Sequence, residues 1–126
     1  MTMVNTVRFR TVMPTDIPRC YEIETASYPT EEAASRSSLQ YRQHHAEKYF
    51  RCAVLGEEEE ETVIGFICAT RCKAFDADAM STHDSTGPLL AVHSVVVDKL
   101  YRKQGIAFAM MKDYVNTMRQ MHDGVE

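Results

Sequence analysis

Val7, Phe9 and Thr11 alternate with Arg8 and Arg10, and this period of two predicts a first strand over 6–11. Pro14-Thr15-Asp16 stops it. Thr15 is the expected N-cap of a helix running to about Ser27, with Pro18 tolerated in the first turn and Ile17, Cys20 and Tyr21 on one face. Glu24 continues that apolar face, and a short helix of this kind is expected to rotate it to the rim. Tyr28-Pro29 breaks the helix, because a residue before proline avoids α geometry. A second helix is expected over 35–47. Two β-rich runs, 49–55 and 62–70, flank Gly56 and five glutamates, predicting an antiparallel hairpin with a solvated acidic turn. Residues 71–87 are polar and aperiodic, and read as a long loop able to shape a substrate mouth. Leu89–Val97 is the most apolar stretch and predicts a central strand buried on both faces. After Gly105, the residues Ala107, Met111, Tyr114, Met118 and Met121 recur at helical spacing and predict the core face of a last helix. The order β-α-α-β-β-β-α, with no repeat or linker, describes one α/β (α+β) domain over residues 1–126.

Composition narrows the function classes. The chain has 126 residues, 14 basic and 18 acidic, for a net charge of −4. That acidic excess argues against nucleic acid as a partner, since phosphate backbones bind basic surfaces. No apolar run reaches the roughly 20 residues of a membrane span, and the N-terminus lacks a signal-peptide layout, so no membrane partner is expected and a cytoplasmic protein is. Cys20, Cys52, Cys68 and Cys72 contain no C-x-x-C pair and read as buried reduced thiols. His44-His45, His83-Asp84 and His122-Asp123 lack ligand spacing, so no metal is expected.

The chemistry concentrates at one strand and the turn after it. Leu89–Val97 runs through Asp98-Lys99-Leu100-Tyr101 into Arg102-Lys103-Gln104-Gly105-Ile106-Ala107-Phe108 and a helix. First-turn N–H groups lack internal partners and carry about half a positive charge from the helix dipole. Gly105 lets a backbone approach a phosphate, and Arg102 and Lys103 add charge, so a pyrophosphate is the natural occupant. The turn has neither the Walker pattern nor the three glycines of a dinucleotide fingerprint. Upstream, period-two counting places His93 on the same strand face as Ala91, Val95 and Val97. An imidazole with a pKa near 6.5 suits a general base.

The pattern Arg102-x-x-Gly105-x-Ala107 resembles the acetyl-coenzyme A signature of the GNAT superfamily of N-acetyltransferases. Phe9-Arg10, Pro14-Thr15-Asp16, Glu22-Ile23-Glu24, Tyr28-Pro29, Glu31-Glu32-Ala33-Ala34-Ser35, Ser81-Thr82-His83-Asp84 and His93-Ser94-Val95 look like its arylalkylamine (serotonin-type) branch, along nearly the whole chain. The resemblance implies a mixed, largely antiparallel sheet flanked by helices and acetyl transfer from acetyl-CoA to a small-molecule primary amine. By position it implies that the backbone of Val95, Val96 and Val97 binds the pantetheine arm. Arg102, Lys103, Gln104, Gly105, Ile106, Ala107 and Phe108 would wrap the pyrophosphate. Tyr28 and Pro29 would line the substrate pocket, and Glu24 would orient water or act as an alternative base. The branch often bears two histidines separated by one residue. Here the second is His93 and the first position is Ala91, so the relay is expected to run on one imidazole.

Relatives continue past the motif helix with further strands and a tyrosine that serves as general acid, so the chain is expected to lack the C-terminal strands. An open edge at Leu89–Val97 would favour a homodimer. The enzyme reading, tryptamine or serotonin as acceptor, stands beside two alternatives: an inactive CoA-binding module and a polyamine acetyltransferase.

Overall fold

The computed structural model describes residues 7–57, 59–76 and 82–121. Four strands, β1 (Arg8–Thr11), β2 (Phe50–Leu55), β3 (Thr62–Cys72) and β4 (Leu89–Val97), pair in the order β1-β2-β3-β4, each pair antiparallel. The helices are α1 (Ile17–Ser27), α2 (Arg36–His45) and α3 (Ile106–Met121), with short 3-10 turns before α1, after α2 and between β4 and α3. The start of the first expected strand, Thr6, and the residues 77–81 of the expected loop lie outside the described residues.

The sheet separates two apolar layers. On one side Ile17, Cys20 and Ile23 of α1 and Leu39 of α2 pack on Phe50, Cys52, Phe66, Cys68 and Val96. On the other, Ile106, Met110 and Tyr114 of α3 pack on Ala53, Ile64, Ile67, Ala69 and Val97. All four cysteines are buried and free, two of them in the α1/α2 layer with Cys20.

Four expectations need correction. The strand buried on both faces is β3, whose residues 63–72 are all buried, whereas β4 is an edge strand with one neighbour among the described residues. Apolarity alone does not rank strands across a sheet: Val92 is 51% exposed. The last helix turns Ile106, Met110 and Tyr114 inward, with Met118 and Met121 beside them, while Ala107 and Met111 lie on the exposed side. A four-residue step from Ile106 fits 3.6 residues per turn as well as the step from Ala107, and the anchoring of Ile106 at the end of β4 decides between them. Helix α1 is capped at Asp16 rather than Thr15, because Pro14–Asp16 forms a 3-10 turn in which Asp16 accepts from the Met13 N–H at 2.8 Å. Glu24, finally, is not at the rim but 1% exposed.

Polar ties fix the layers. Arg10 bonds both Asp16 and Glu61, holding β1 to the start of the helical layer and to the hairpin. Arg51 of β2 pairs with Asp113 of α3 at 3.0 Å, and the Tyr114 hydroxyl donates to the Tyr49 carbonyl at 2.8 Å. Where β3 meets β4, Gly65 is close enough to the neighbouring chain that a Cβ would stand 2.8 Å from the Val96 carbonyl oxygen. Backbone pinned between two strands yields little. Gly65→Ala is therefore expected to destabilise the domain by about 1–3 kcal/mol, the usual range for overpacking, read as a lower urea midpoint with unchanged slope.

Candidate active site

The local geometry of β4 departs from regular alternation at one residue. Cys68 pairs with Ser94 and Ala69 with Val92, which leaves His93 as an extra residue, a β-bulge. Val95 and Val97 then face α3, as their contacts in that layer show, while Val96 faces α1 and α2. The expectation that His93 shares a face with Val95 and Val97 is corrected: the inserted residue resets the alternation, so His93 lies on the α1/α2 side together with Ser94.

Both side chains are held there. His93 Nε2 lies 2.8 Å from Thr70 Oγ1, and its Nδ1 is buried with no partner among the described residues. Ser94 donates its hydroxyl to Glu24 Oε1 at 2.8 Å, and the Ala34 N–H donates to Glu24 Oε2 at 2.8 Å. A buried carboxylate is tolerable because both oxygens accept hydrogen bonds. Glu24 thus joins α1, β4 and the loop carrying Tyr28 and Pro29, and its burial assigns it to positioning these parts. Tyr28 is half-buried against the α1/α2 layer, and Pro29 is exposed, its carbonyl accepting from the N–H groups of Glu32 and Ala33. Arg42 of α2, buried beside this face, acts electrostatically on both Cys68 and His93.

Burial first, and the Arg42 charge second, lower the His93 pKa from 6.5 to about 4. The expectation of an imidazole poised near neutrality is corrected, because the site excludes water and holds a cation.

Beyond Val97 the chain forms the predicted turn. Lys103 and Gly105 both adopt positive φ, 64° and 79°. For Gly105 the angle is what demands glycine, since nothing lies within 4 Å of where a Cβ would stand. The Ala109 N–H bonds the Gly105 carbonyl at 3.1 Å. The amides before it in the first turn of α3 have no helical acceptor. The turn's open glycine and its amides fit a diphosphate. Arg102 takes a different part: its Nε donates to the Val97 carbonyl at 2.9 Å and a terminal nitrogen donates to Ser27 Oγ at 3.0 Å, bracing the turn against β4 and α1. Lys103 and Gln104 sit at the turn itself. Ile106 is buried, so only its backbone faces the turn, and Phe108 is 75% exposed.

The profile of the Acetyltransferase (GNAT) family matches residues 17–126. The chain belongs to this family. No curated protein matches it. Among solved structures, the GphF GNAT-like decarboxylase in complex with isobutyryl-CoA superposes with a TM-score of 0.77 at 22% identity, over 94% of this chain and 62% of that one. The loading GNATL domain of CurA from Lyngbya majuscula gives a TM-score of 0.81 at 15% identity, over 95% and 61%. The diaminobutyrate acetyltransferase EctA from Paenibacillus lautus, in complex with L-2,4-diaminobutyric acid and coenzyme A, gives 0.65 at 25% identity, over 94% and 61%. The chain therefore spans about three-fifths of the length of these proteins. The mixed fold and helix-flanked antiparallel sheet are those of the family.

Sequence reasoning found His93, Gly105 and the turn. It missed Thr70, Arg42 and the Ser94–Glu24–Ala34 linkage. The signal for Glu24 was present, a carboxylate in an apolar stripe, while nothing marked the bulge.

Two outcomes follow from these contacts. The unfolded chain binds a proton at His93 below pH 6.5 and the folded chain only near pH 4, so stability falls as pH drops through that window. The loss reaches at most about 3 kcal/mol, and acid titration of His93→Gln should show a correspondingly shallower slope. Glu24→Ala, which strands the Ala34 and Ser94 donors and opens a cavity, should cost about 2–5 kcal/mol. Glu24→Gln should cost far less in chemical denaturation, because its amide can accept from Ala34 and donate to a reoriented Ser94 hydroxyl.

Proposed function

We propose that this domain transfers the acetyl group of acetyl-coenzyme A to the primary amine of an arylalkylamine such as tryptamine or serotonin, with His93 receiving the amine's proton. The observation that carries the reading is the bulge in β4. It aims His93 toward the α1/α2 side on the same strand that leads, four residues later, into the glycine turn. Relatives of this fold solved with isobutyryl-CoA or coenzyme A support the donor class.

In this reading the first-turn amides of α3, with Lys103 and Gly105, hold the diphosphate, and the free backbone edge of Val95–Val97 accompanies the pantetheine arm. Arg102 acts through the turn it braces. Acetyl-coenzyme A supplies an activated thioester, so the amine nitrogen forms a bond to the acetyl carbon as the carbon–sulfur bond breaks and the thiolate leaves. His93 donates Nε2–H to Thr70 and presents the Nδ1 lone pair, directly or through a water, to the proton that the nitrogen must lose. Tyr28 supplies an aromatic wall for the acceptor ring.

The lowered pKa shapes the role. An imidazole that is neutral above about pH 4 is always ready to accept, yet it holds a proton poorly. It therefore passes the proton on rather than storing it. An amine with a pKa near 10.4 loses about 4–5 kcal/mol of available nucleophile at pH 7. The rate should accordingly climb with pH toward the amine pKa, with no inflection near 6.5.

Release of free thiol from acetyl-coenzyme A in the presence of tryptamine tests the proposal. Wild type should exceed background, and His93→Ala should lose about 100-fold or more. Gly105→Val, strained at positive φ, should weaken coenzyme A binding in calorimetry. Equal release by His93→Ala would remove His93 from the mechanism. Binding without release would favour a coenzyme A-binding module, and absence of binding would overturn the donor assignment.

A further inference from the structure

Two histidine pairs singled out in the sequence have no part in the proposed chemistry, and the fold brings them to one place. A cleft of about 260 Å³ opens where the end of α2 meets the end of β3 and the following loop, lined by His44, His45, Lys48, Tyr49, Arg71 and His83. We propose that this cleft binds a small oxyanion, a carboxylate or a phosphate, independently of acetyl transfer.

The charge balance is the first argument. Lys48 and Arg71 are permanent cations, and Glu47 is the one carboxylate lining the cleft, in a protein whose net charge is −4. Asp84, next to His83, turns its carboxylate to Thr86 and lies 3.8 Å from Lys73. A cationic concavity on an acidic protein concentrates anions.

The second argument is preorganisation. The Arg71 N–H donates to His83 Nδ1 at 3.0 Å, so the proton of the neutral ring sits on Nε2, which is a donor. Burial first, and Arg71 second, lower the His83 pKa and keep that ring neutral at pH 7. The His83 N–H donates to the Tyr41 hydroxyl at 3.1 Å, and the ring tilts against Tyr49 with centroids 5.8 Å apart. Arg71 is itself anchored, Nε donating to the Gly87 carbonyl at 2.6 Å. Gly87 presses so closely on Cys72 that a Cβ would stand 2.4 Å from its backbone. The loop bearing His83 is thus pinned at both of its contacts with β3.

Size and chemistry select the ligand. The volume falls just below the roughly 300–1,000 Å³ of drug-sized sites, which suits phosphate or a benzoate-sized acid. A metal ion fits less well: two cations line the cleft, and among the described residues no group of three His, Cys, Asp or Glu side chains could hold one.

Imidazole Cε1–H resonances of the whole chain, followed by NMR, test the site. Sodium phosphate and sodium benzoate would be titrated separately at pH 7, with sodium chloride keeping ionic strength constant. Saturable shifts of His44, His45 and His83, with His93 unmoved, are expected, half-saturating in the low-millimolar range. Lys48→Ala combined with His45→Ala, both exposed positions, should raise the midpoint about tenfold. Response to phosphate alone assigns a phosphate ligand, and response to benzoate alone a carboxylate. Shifts that stay linear, that chloride reproduces, or that the double variant leaves unchanged would overturn the proposal, as would a response to zinc without one to either anion. None of these readings depends on coenzyme A, so failure here is separable from failure of the acetyl-transfer proposal.

Discussion

The placement of one extra residue in β4 governs most of what the domain can do. Were the strand regular, His93 and Ser94 would point to opposite faces. The bulge puts both on the α1/α2 side, where Thr70 and Glu24 receive them. Bulges interrupt a ladder and bend the strand, and they are common next to active sites because they re-aim a side chain. Here the cost of an interrupted ladder is offset locally: the two displaced side chains each make a hydrogen bond to a neighbouring element.

Those bonds also set the electrostatics. Glu24 keeps its carboxylate buried by accepting from Ala34 and Ser94, and so ties the loop of Tyr28 and Pro29 to the bulged strand. Arg42 brings positive charge to the same face and, after burial, contributes to keeping His93 neutral. Positioning and proton affinity are thus products of one packed layer. A change that loosened α2 would be felt at the imidazole without touching it.

How far the sequence reveals this depends on the range of the interaction involved. The element order was legible because alternation, helical spacing and proline breaks are local, and the glycine turn was legible because backbone conformation constrains residue type. The rank of strands in the sheet was not, since Leu89–Val97 and Thr62–Cys72 are both apolar and only pairing decides which is flanked. The face of α3 was ambiguous by one residue for a similar reason: Ile106 and Ala107 begin equally good stripes, and the end of β4 chooses. The partner of Glu24 is 70 residues away at Ser94, and a carboxylate in an apolar stripe announces that some partner exists without naming it. Arg102 carried charge in the right motif, yet its guanidinium is spent on Val97 and Ser27, a use that composition cannot distinguish from ligand binding.

That last point bears on how the turn attracts a phosphate. With Arg102 committed to bracing, the attraction falls to Lys103 and to backbone amides fixed by two residues at positive φ, so geometry outweighs side-chain charge. Backbone donors need no reorganisation when an anion arrives, which favours tight and oriented binding over long-range attraction. The same strand that ends there begins beside Arg71, which pairs with Leu90 at the cationic cleft. At about 3.3 Å per residue, His93 stands roughly 10 Å from one end and 13 Å from the other. An acceptor bearing an acid group and a donor bearing a diphosphate could each be held at its own end, with the imidazole between them, and β4 would then act as the ruler that separates the two.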